Sequence, residues 1–280
     1  MMTIFNKHIL ITGANSGIGR ACTEYLALKG FKIYAGARKK EDIEDLNKIK
    51  NVKGIKIDVT NDHNIEETFD YIKNENSGLF AIINNAGIAL AGPLMDIGIN
   101  DLINQFNVNL FGIHRITKMF LPLLLESKGR IIMISSNSGF FAAPFFGPYC
   151  SSKFALEGYS DSLRRELLLY DVKVIIIQPG RIKTAIWDKG EEFLGKYKGS
   201  IFEKEAYNIG KYTIEKGKND SLNPSQVAKV VFNALVKRNP RNRYIIVPDK
   251  FRNKLLKILP SRRIDKIFKK ELEKIKFSPD

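Results

Sequence analysis

The sequence predicts a single α/β domain in which helices cover both faces of a doubly wound, seven-stranded parallel sheet. Short runs rich in Ile and Val are apolar on both faces, which is typical of strands buried in a parallel sheet. Helical patterns separate these runs, and the alternation implies βαβ units with right-handed crossovers. No internal repeat or linker divides the chain, so one domain is favoured. Strands are predicted at 8–12, 32–36, 54–58, 79–84, 130–135, 172–178 and 243–247.

The elements follow from local patterns in chain order. The first strand, HILIT, leads into a glycine-rich turn and the first helix, and KIYAG and GIKID form the next two strands around a charged helix. The last helix opens with Asn223, Pro224 and Gln226, a favourable N-cap, first-turn proline and third-position partner. Residues 185–222 break the alternation and predict an excursion over one end of the sheet. Helices are predicted at 17–29, 41–50, 63–76, 99–126, 149–170 and 224–238.

Composition excludes several classes of protein. The two cysteines have no CxxC spacing and the three histidines lie far apart, so neither a disulfide framework nor a metal site is predicted. The net charge is +15, and residues 250–280 contribute +7 of it, from eleven Lys or Arg and four Asp or Glu. Residues 1–249 show no dense basic patch of the kind that binds nucleic acid. No signal peptide and no bilayer-length apolar run is recognised, so we expect a cytoplasmic protein or one peripheral to a membrane.

A glycine-rich turn follows the first predicted strand. Its sequence, TGANSGIGR, places Gly13, Gly17 and Gly19 between that strand and the first helix. Glycines allow positive φ and close approach of a diphosphate, and the helix start offers free N–H groups to an anion. The turn therefore predicts a dinucleotide-binding site.

The end of the second strand bears on the choice of dinucleotide. An acidic residue here binds the ribose 2′-OH of NAD, whereas an arginine accommodates a 2′-phosphate. Ala37 stands where the acid is expected, and Arg38 and Lys39 follow it. These two cations favour NADP(H) over NAD(H). At the end of the third strand, Asp58 could accept from an adenine amino group beside Val59, or it could cap the following helix.

Tyr149 and Lys153 are four residues apart, which places both on one face of a helix. They follow NNAG at 84–87 and ISSNSG at 134–139, and QPGRIKT follows them at 178–184. In this order and at these intervals, the set resembles the short-chain dehydrogenase/reductase family over about residues 8–247. Its later part resembles the branch that holds retinol and hydroxysteroid dehydrogenases. The implied fold is of Rossmann type.

The resemblance implies a catalytic tetrad of Asn109, Ser136, Tyr149 and Lys153. Tyr149 would exchange the proton, and Lys153 would favour its phenolate and hold the nicotinamide ribose. Ser136, thirteen residues before the tyrosine, would orient the carbonyl oxygen. Asn109 would support a water that passes protons to Lys153. The implied cofactor-binding residues are Gly13, Asn15, Ser16, Gly17, Ile18, Gly19, Arg38, Lys39, Asp58, Val59, Asn85, Ala86, Gly87, Tyr149, Lys153, Pro179, Gly180, Ile182 and Thr184.

The substrate side is aromatic. Four phenylalanines in GFFAAPFFGP, residues 139–148, flank the expected reaction centre and indicate an apolar steroid-, retinoid- or lipid-like substrate, or else packing against the lid at 185–222. The lid contains further aromatic residues, among them Phe193 and Phe202. The basic, amphipathic tail at 250–280 could contact a membrane, but packing on the domain or on a second subunit is favoured.

The expected function is therefore transfer of a hydride between NADP(H) and a secondary alcohol, a ketone or a lipophilic aldehyde by the catalytic domain at residues 1–249. A homo-oligomer is expected from the family. One alternative is a 3-oxoacyl-carrier-protein reductase. Another, of a different class, is a non-catalytic NADP(H)-sensing binding protein.

Overall fold

A seven-stranded parallel sheet forms the centre of the molecule, in the order β3-β2-β1-β4-β5-β6-β7. The computed structural model describes residues 7–75, 77–191, 194–249, 251, 253, 255 and 258–276. All seven predicted strands are confirmed, with ends shifted by one or two residues. The strands are β1 (His8–Ile11), β2 (Lys32–Ala37), β3 (Val52–Lys56), β4 (Ala81–Asn84), β5 (Arg130–Ile134), β6 (Lys173–Pro179) and β7 (Arg243–Ile246).

Helices cover both faces of the sheet, as predicted for strands that are apolar on both sides. Along β1, Ile9 and Ile11 face one core while Leu10 faces the other. The described helices are α1 (Gly17–Leu28), α2 (Lys40–Asn47), α3 (Asp62–Asn74), α4 (Ile99–Phe106), α5 (Gly112–Ser127), α6 (Gly147–Glu166), α7 (Ile186–Gly190), α8 (Glu203–Asn219) and α9 (Pro224–Val236). A further C-terminal helix spans Ser261–Lys276.

The helix predicted over 99–126 is continuous but not uniform. A π-helical segment, Asn107–Phe111, separates α4 from α5. A single π turn inside an α-helix is uncommon and is frequently found at a functional site. The hydrophobic pattern predicted one continuous helix over 99–126 and did not mark this segment.

By length and mean hydropathy alone, Ile99–Ser127 is the one helix in the described ranges that could span a membrane. The sequence predicted no membrane-spanning helix, since no apolar run approaches about 18 to 20 residues. In the structure, Ile113, Ile116 and other residues of this helix lie in the core beneath the sheet. Ile99–Ser127 is therefore interpreted as a core helix of the domain and not as a membrane span.

The predicted excursion at 185–222 contains two helices, α7 and α8, which the sequence did not define. Trp187 anchors α7 by donating from Nε1 to the Ile182 carbonyl at 2.7 Å. Tyr197 docks the following loop by donating from its hydroxyl to the Ala91 carbonyl at 2.7 Å. Phe193 lies outside the described residues.

The C-terminal helix packs on the domain. It contacts α8, and Phe268 stacks on Phe141 with ring centroids 5.4 Å apart. Phe141 belongs to the loop between Ser136 and Tyr149. The packing that the sequence favoured for this helix is thus present, and membrane contact through 250–280 stays an untested prediction.

Candidate active site

The predicted site residues lie at the carboxyl ends of the strands. The strand order reverses between β1 and β4, where the connections run to opposite sides. In open α/β sheets a ligand binds in the crevice outside such a switch point. The glycine turn follows β1 and the NNAG segment follows β4, so both face this crevice.

The glycine turn has the backbone conformation that the sequence predicted. Gly13 and Gly17 have φ values of 63° and 55°. At Gly19, a Cβ would overlap the Gly13 carbonyl oxygen and lie 2.5 Å from Asn85 Nδ2. Ser16 precedes α1 as an exposed N-cap whose side chain makes no capping hydrogen bond. The cradle therefore fits the diphosphate of a dinucleotide.

Thr12, which the sequence analysis did not select, joins the two sides of the crevice. Its Oγ1 accepts hydrogen bonds from the backbone N–H groups of Asn85 and Ala86, both at 3.0 Å. In return, Asn85 Nδ2 donates to the carbonyls of Thr12 and Gly13, both at 2.9 Å. The NNAG segment is thereby fixed to the glycine turn. The sequence feature that could have identified this residue is its position at the end of β1, directly before Gly13.

The side of the crevice predicted to hold the adenosine contains a cavity of about 340 Å³. It lies between the ends of β2 and β3 and the start of α3. Lys56 pairs with Ala37 across the strands, so both side chains leave the same face of the sheet. Lys39 is instead the exposed N-cap of α2. The cavity is lined by Arg38, Lys56, Asp58, Asn61, His63, Asn64 and Glu67.

Other predicted residues of this side also have structural contacts. Asp58 Oδ1 accepts from the backbone N–H of Thr60 at 2.9 Å and from its hydroxyl at 2.7 Å, whereas the N-cap of α3 is Asn61, so Asp58 does not cap that helix. Asn15 Nδ2 donates to Asp42 Oδ2 at 3.0 Å at the rim of the glycine turn. Ile18 packs on the core and Val59 is buried.

The proposed catalytic pair lies on α6, one turn apart. Tyr149 is partly exposed, whereas Lys153 is buried, with its ammonium 5.7 Å from the centroid of the tyrosine ring. Lys153 Nζ donates to the Ile134 carbonyl at the end of β5, at 2.9 Å. Ser136 comes two residues later and donates weakly to the Pro179 carbonyl at 3.4 Å. The ends of β5 and β6 thus hold Ser136 and Lys153 next to Tyr149.

The electrostatics of this pair differ from the sequence expectation. Burial raises the pKa of Tyr149 to about 12, against a smaller opposing effect of hydrogen bonding with Ser136. Burial also lowers the pKa of Lys153 to about 8, and Glu157 acts in the opposite direction. The expectation that Lys153 lowers the pKa of the tyrosine is therefore not met by the protein's own residues. Desolvation dominates for both groups, although Tyr149 keeps part of its surface exposed.

Asn109 lies in the π-helical segment and is fully buried. Its Oδ1 accepts from the Ile88 N–H at 2.9 Å, and its Nδ2 donates to the Ile88 carbonyl at 3.0 Å and to Ser152 Oγ at 3.1 Å. Asn109 thus connects the loop after β4, including Gly87, to helix α6. Its side chain fixes the Ile88 backbone to Ser152, and the predicted support of a water by Asn109 stays a prediction.

The segment after β6 completes the crevice. The Gly180 N–H donates to the Ile246 carbonyl of β7 at 2.8 Å, and Ile182 is buried beside Leu222. A Cβ at Gly17 would lie 3.0 Å from the Thr184 methyl group. Pro179 to Thr184 therefore reach from Ser136 back to the start of α1, as a nicotinamide-binding segment would.

The comparisons with known proteins agree with this geometry. A sequence profile for the family described as short chain dehydrogenase matches residues 7–194. The chain therefore belongs to the short-chain dehydrogenase/reductase family, and it is an NAD(P)-dependent oxidoreductase.

Individual relatives span nearly the whole chain. An NADPH-dependent 3-dehydrocapnine reductase of Ornithobacterium rhinotracheale is 35% identical over 96% of this chain and 98% of its own length. A 3-amino-tetrahydro-pyrrolizinone reductase of Xenorhabdus hominickii is 37% identical over 94% of both chains. The crystal structure of a short-chain dehydrogenase/reductase from Burkholderia phymatum in complex with NAD has a TM-score of 0.80 at 22% identity, covering 95% of this chain and 97% of that chain. This last likeness confirms the fold.

Proposed function

We propose that this protein interconverts ketones, or lipophilic aldehydes, and the corresponding alcohols with NADP(H), and that Tyr149 exchanges the proton. The observation that carries the proposal is the convergence of Ser136, Tyr149 and Lys153 beside the glycine turn. NADP(H), when bound, supplies or accepts the hydride. The protein has to orient the carbonyl and manage one proton.

Each residue of the proposed tetrad has a distinct part. Ser136 Oγ and the Tyr149 hydroxyl both hydrogen-bond the substrate oxygen, and the proton moves between that oxygen and Tyr149. Lys153 holds the nicotinamide ribose and contributes positive charge near the tyrosine. Asn109 keeps the loop after β4 attached to α6, so the spacing between cofactor and proton donor is maintained.

The preference for NADP(H) is supported by the adenosine-side cavity. Arg38 and Lys56 both line it, and Lys56 shares a face of the sheet with Ala37, where an NAD-binding enzyme would carry an acid. His63 adds a third basic group, next to Glu67 at 3.4 Å. The NADPH-dependent relative from Ornithobacterium rhinotracheale is consistent with this preference.

An apolar substrate is supported by the aromatic loop before α6. Phe146 packs edge-on against Tyr149 with centroids 5.5 Å apart, and Phe145 packs against Phe202 of the lid at 6.0 Å. Phe141 contacts the C-terminal helix. These rings would form apolar walls around a steroid-, retinoid- or lipid-like molecule. The two bacterial relatives are named for different substrates, so neither substrate is transferred to this chain.

The central experiment measures turnover. Purified protein is mixed with NADPH and panels of ketones, retinoids, steroids and acyl thioesters, and loss of absorbance is followed for the wild type and for Tyr149→Phe. We expect activity in the wild type and a loss of at least about 100-fold in kcat for the variant, because proton transfer contributes about that factor or more.

Two results would contradict the proposal. NADPH binding without turnover on any panel, unchanged in Tyr149→Phe, would favour the NADP(H)-sensing protein. Turnover confined to acyl thioesters would favour a 3-oxoacyl-carrier-protein reductase. A binding control is essential, so Tyr149→Phe must retain the NADPH affinity of the wild type.

Cofactor preference has its own test. Dissociation constants for NADPH and NADH are measured for Arg38→Gln and Lys56→Gln, with Lys40→Gln as a matched exposed control. We expect Arg38→Gln and Lys56→Gln each to raise the dissociation constant for NADPH by about 10-fold, because each change removes a charge-assisted hydrogen bond. The affinity for NADH should change little. Tighter binding of NADH than NADPH by the wild type would refute the preference.

A further inference from the structure

A buried carboxylate lies one helical turn beyond Lys153. Glu157 follows Lys153 by four residues on α6, and 8% of its surface is exposed. Carboxylates are almost never buried to this extent unless they are paired. The proposed catalytic roles do not use Glu157, so its burial needs another explanation.

Arg243 of β7 fixes the outer side of this carboxylate. Arg243 Nε contacts Glu157 Oε2 at 3.0 Å, and its other end contacts Asp161 at 2.8 Å. Asp161 also pairs with Arg164 at 3.3 Å. This network ties the middle of α6 to the edge strand and determines where the Glu157 carboxylate lies.

The inner side of Glu157 faces the active site. Its Oε1 is buried and has no hydrogen-bond partner among the described residues. A Cβ placed on Gly139 would lie 2.9 Å from Glu157 Cγ, 3.0 Å from Ser135 Oγ and 3.1 Å from the Lys153 carbonyl. Glu157 therefore lies directly beneath the turn that carries Ser136, with Lys153 on the same helix face.

We propose that Glu157 is a positioning residue that keeps Lys153 protonated in the working enzyme, with Arg243 holding the carboxylate in place. This inference rests on the proposed function, in which the lysine acts as an ammonium. A buried ammonium without a nearby negative charge loses its proton readily, because desolvation disfavours the charged form. The buried carboxylate opposes that loss from inside the protein, where screening is weak.

Among the described residues, Arg243 and Tyr149 are charged or titratable groups that adjoin Glu157 and Lys153, and the positive charge of Arg243 offsets part of the effect of the carboxylate. Tyr149 lies on the same helix face, with its ring 5.7 Å from Lys153 Nζ. Electrostatic interaction with Glu157 raises the pKa of Lys153, against the larger lowering by burial.

The test replaces Glu157 with glutamine, which removes the charge and keeps the shape. Two quantities are measured: the pKa of Lys153 by NMR of carbon-13-labelled lysine in the cofactor-free protein, and the alkaline limb of kcat/KM with NADPH. In Glu157→Gln we expect both to move to lower pH by about 0.5 to 1 unit. A factor of about 3 to 10 in the proton affinity of the lysine corresponds to that change.

The matched control is Asp161→Asn, which removes a partner of the same arginine farther from Lys153. We expect it to leave both quantities unchanged. A folded Glu157→Gln protein in which neither quantity moves would overturn the proposal, as would an equal movement in Asp161→Asn. If Glu157→Gln does not fold, Glu157→Asp is used, since its shortened side chain should give a smaller movement in the same direction, and no movement would again overturn the proposal.

The NMR measurement separates this inference from the proposed function. A lowered Lys153 pKa in an enzyme without turnover would support the role of Glu157 and contradict the assigned reaction. Turnover by the wild type, together with an unchanged Lys153 pKa in Glu157→Gln, would support the assigned reaction and contradict the role of Glu157.

Discussion

Replacing Lys153 with methionine should stabilise the protein at pH 7 while it abolishes activity. Burial lowers the pKa of Lys153 from its usual value of 10.5 to about 8. At about 1.4 kcal/mol for each pKa unit, this difference is a cost of about 3 kcal/mol for the charged form. The methionine loses the hydrogen bond to the Ile134 carbonyl, which contributes about 1 kcal/mol. We therefore expect a net gain of about 2 kcal/mol in the free energy of unfolding.

The pH dependence gives the sharper test. The pKa of Lys153 is lower in the folded protein than in the unfolded chain. Between about pH 8 and pH 10.5 the unfolded chain therefore binds more protons than the folded protein. The wild type consequently becomes more stable as the pH rises through this range. By pH 9.5 it should have regained about 2 kcal/mol, and the two proteins should be about equally stable.

Urea denaturation without cofactor at pH 7.0 and pH 9.5 measures this difference. Lys40→Met, at an exposed lysine, is the control and should show no such gap. The reasoning is refuted if Lys153→Met is less stable than the wild type at pH 7, or if its advantage is the same at both pH values.

Three further outcomes follow from specific contacts. Gly19→Ala should remove NADPH binding, measured by fluorescence titration, because a Cβ would overlap the Gly13 carbonyl oxygen; wild-type affinity would contradict the proposed cradle. Asn109→Ala should lower the free energy of unfolding by about 2 to 4 kcal/mol in urea, since a buried amide with three hydrogen bonds is lost, and a change below about 0.5 kcal/mol would argue against this connection between Ile88 and Ser152. Phe268→Ala should raise KM for long apolar ketones and leave that for short ones unchanged, with Ile267→Ala as the control; equal effects on both classes would assign the ring a purely structural role.

The sheet could be predicted because parallel strands buried on both faces consist of short, continuous runs of Ile and Val, which are visible in the sequence. The run IIMIS leads into Ser136 and the run VIIIQ into Pro179, so the strand ends also placed the site. The π-helical segment and the two helices of the lid could not be predicted in the same way. Their boundaries depend on tertiary contacts, such as that of Tyr197 with the Ala91 carbonyl, rather than on local periodicity.

Residues with motif spacing were found, whereas residues defined by partners distant in sequence were missed. Thr12 acts on Asn85, which is 73 residues away, and Glu157 is held by Arg243, which is 86 residues away. Neither contact leaves a repeating signature in one sequence. The raised pKa of Tyr149 in the protein without cofactor was missed for a related reason. Spacing places a cation on the same helix face, but the degree of burial, which dominates the shift, depends on the whole fold.

The two pKa shifts together determine which protonation state is ready for reaction. With its pKa raised to about 12, Tyr149 carries its proton at neutral pH, which is the state that carbonyl reduction requires. Oxidation requires the phenolate, and the protein's own residues oppose its formation. The positive charge of the oxidised nicotinamide and of Lys153 must then offset the burial of the tyrosine. Since Lys153 provides that charge only while protonated, the oxidative direction should be the more sensitive to loss of Glu157.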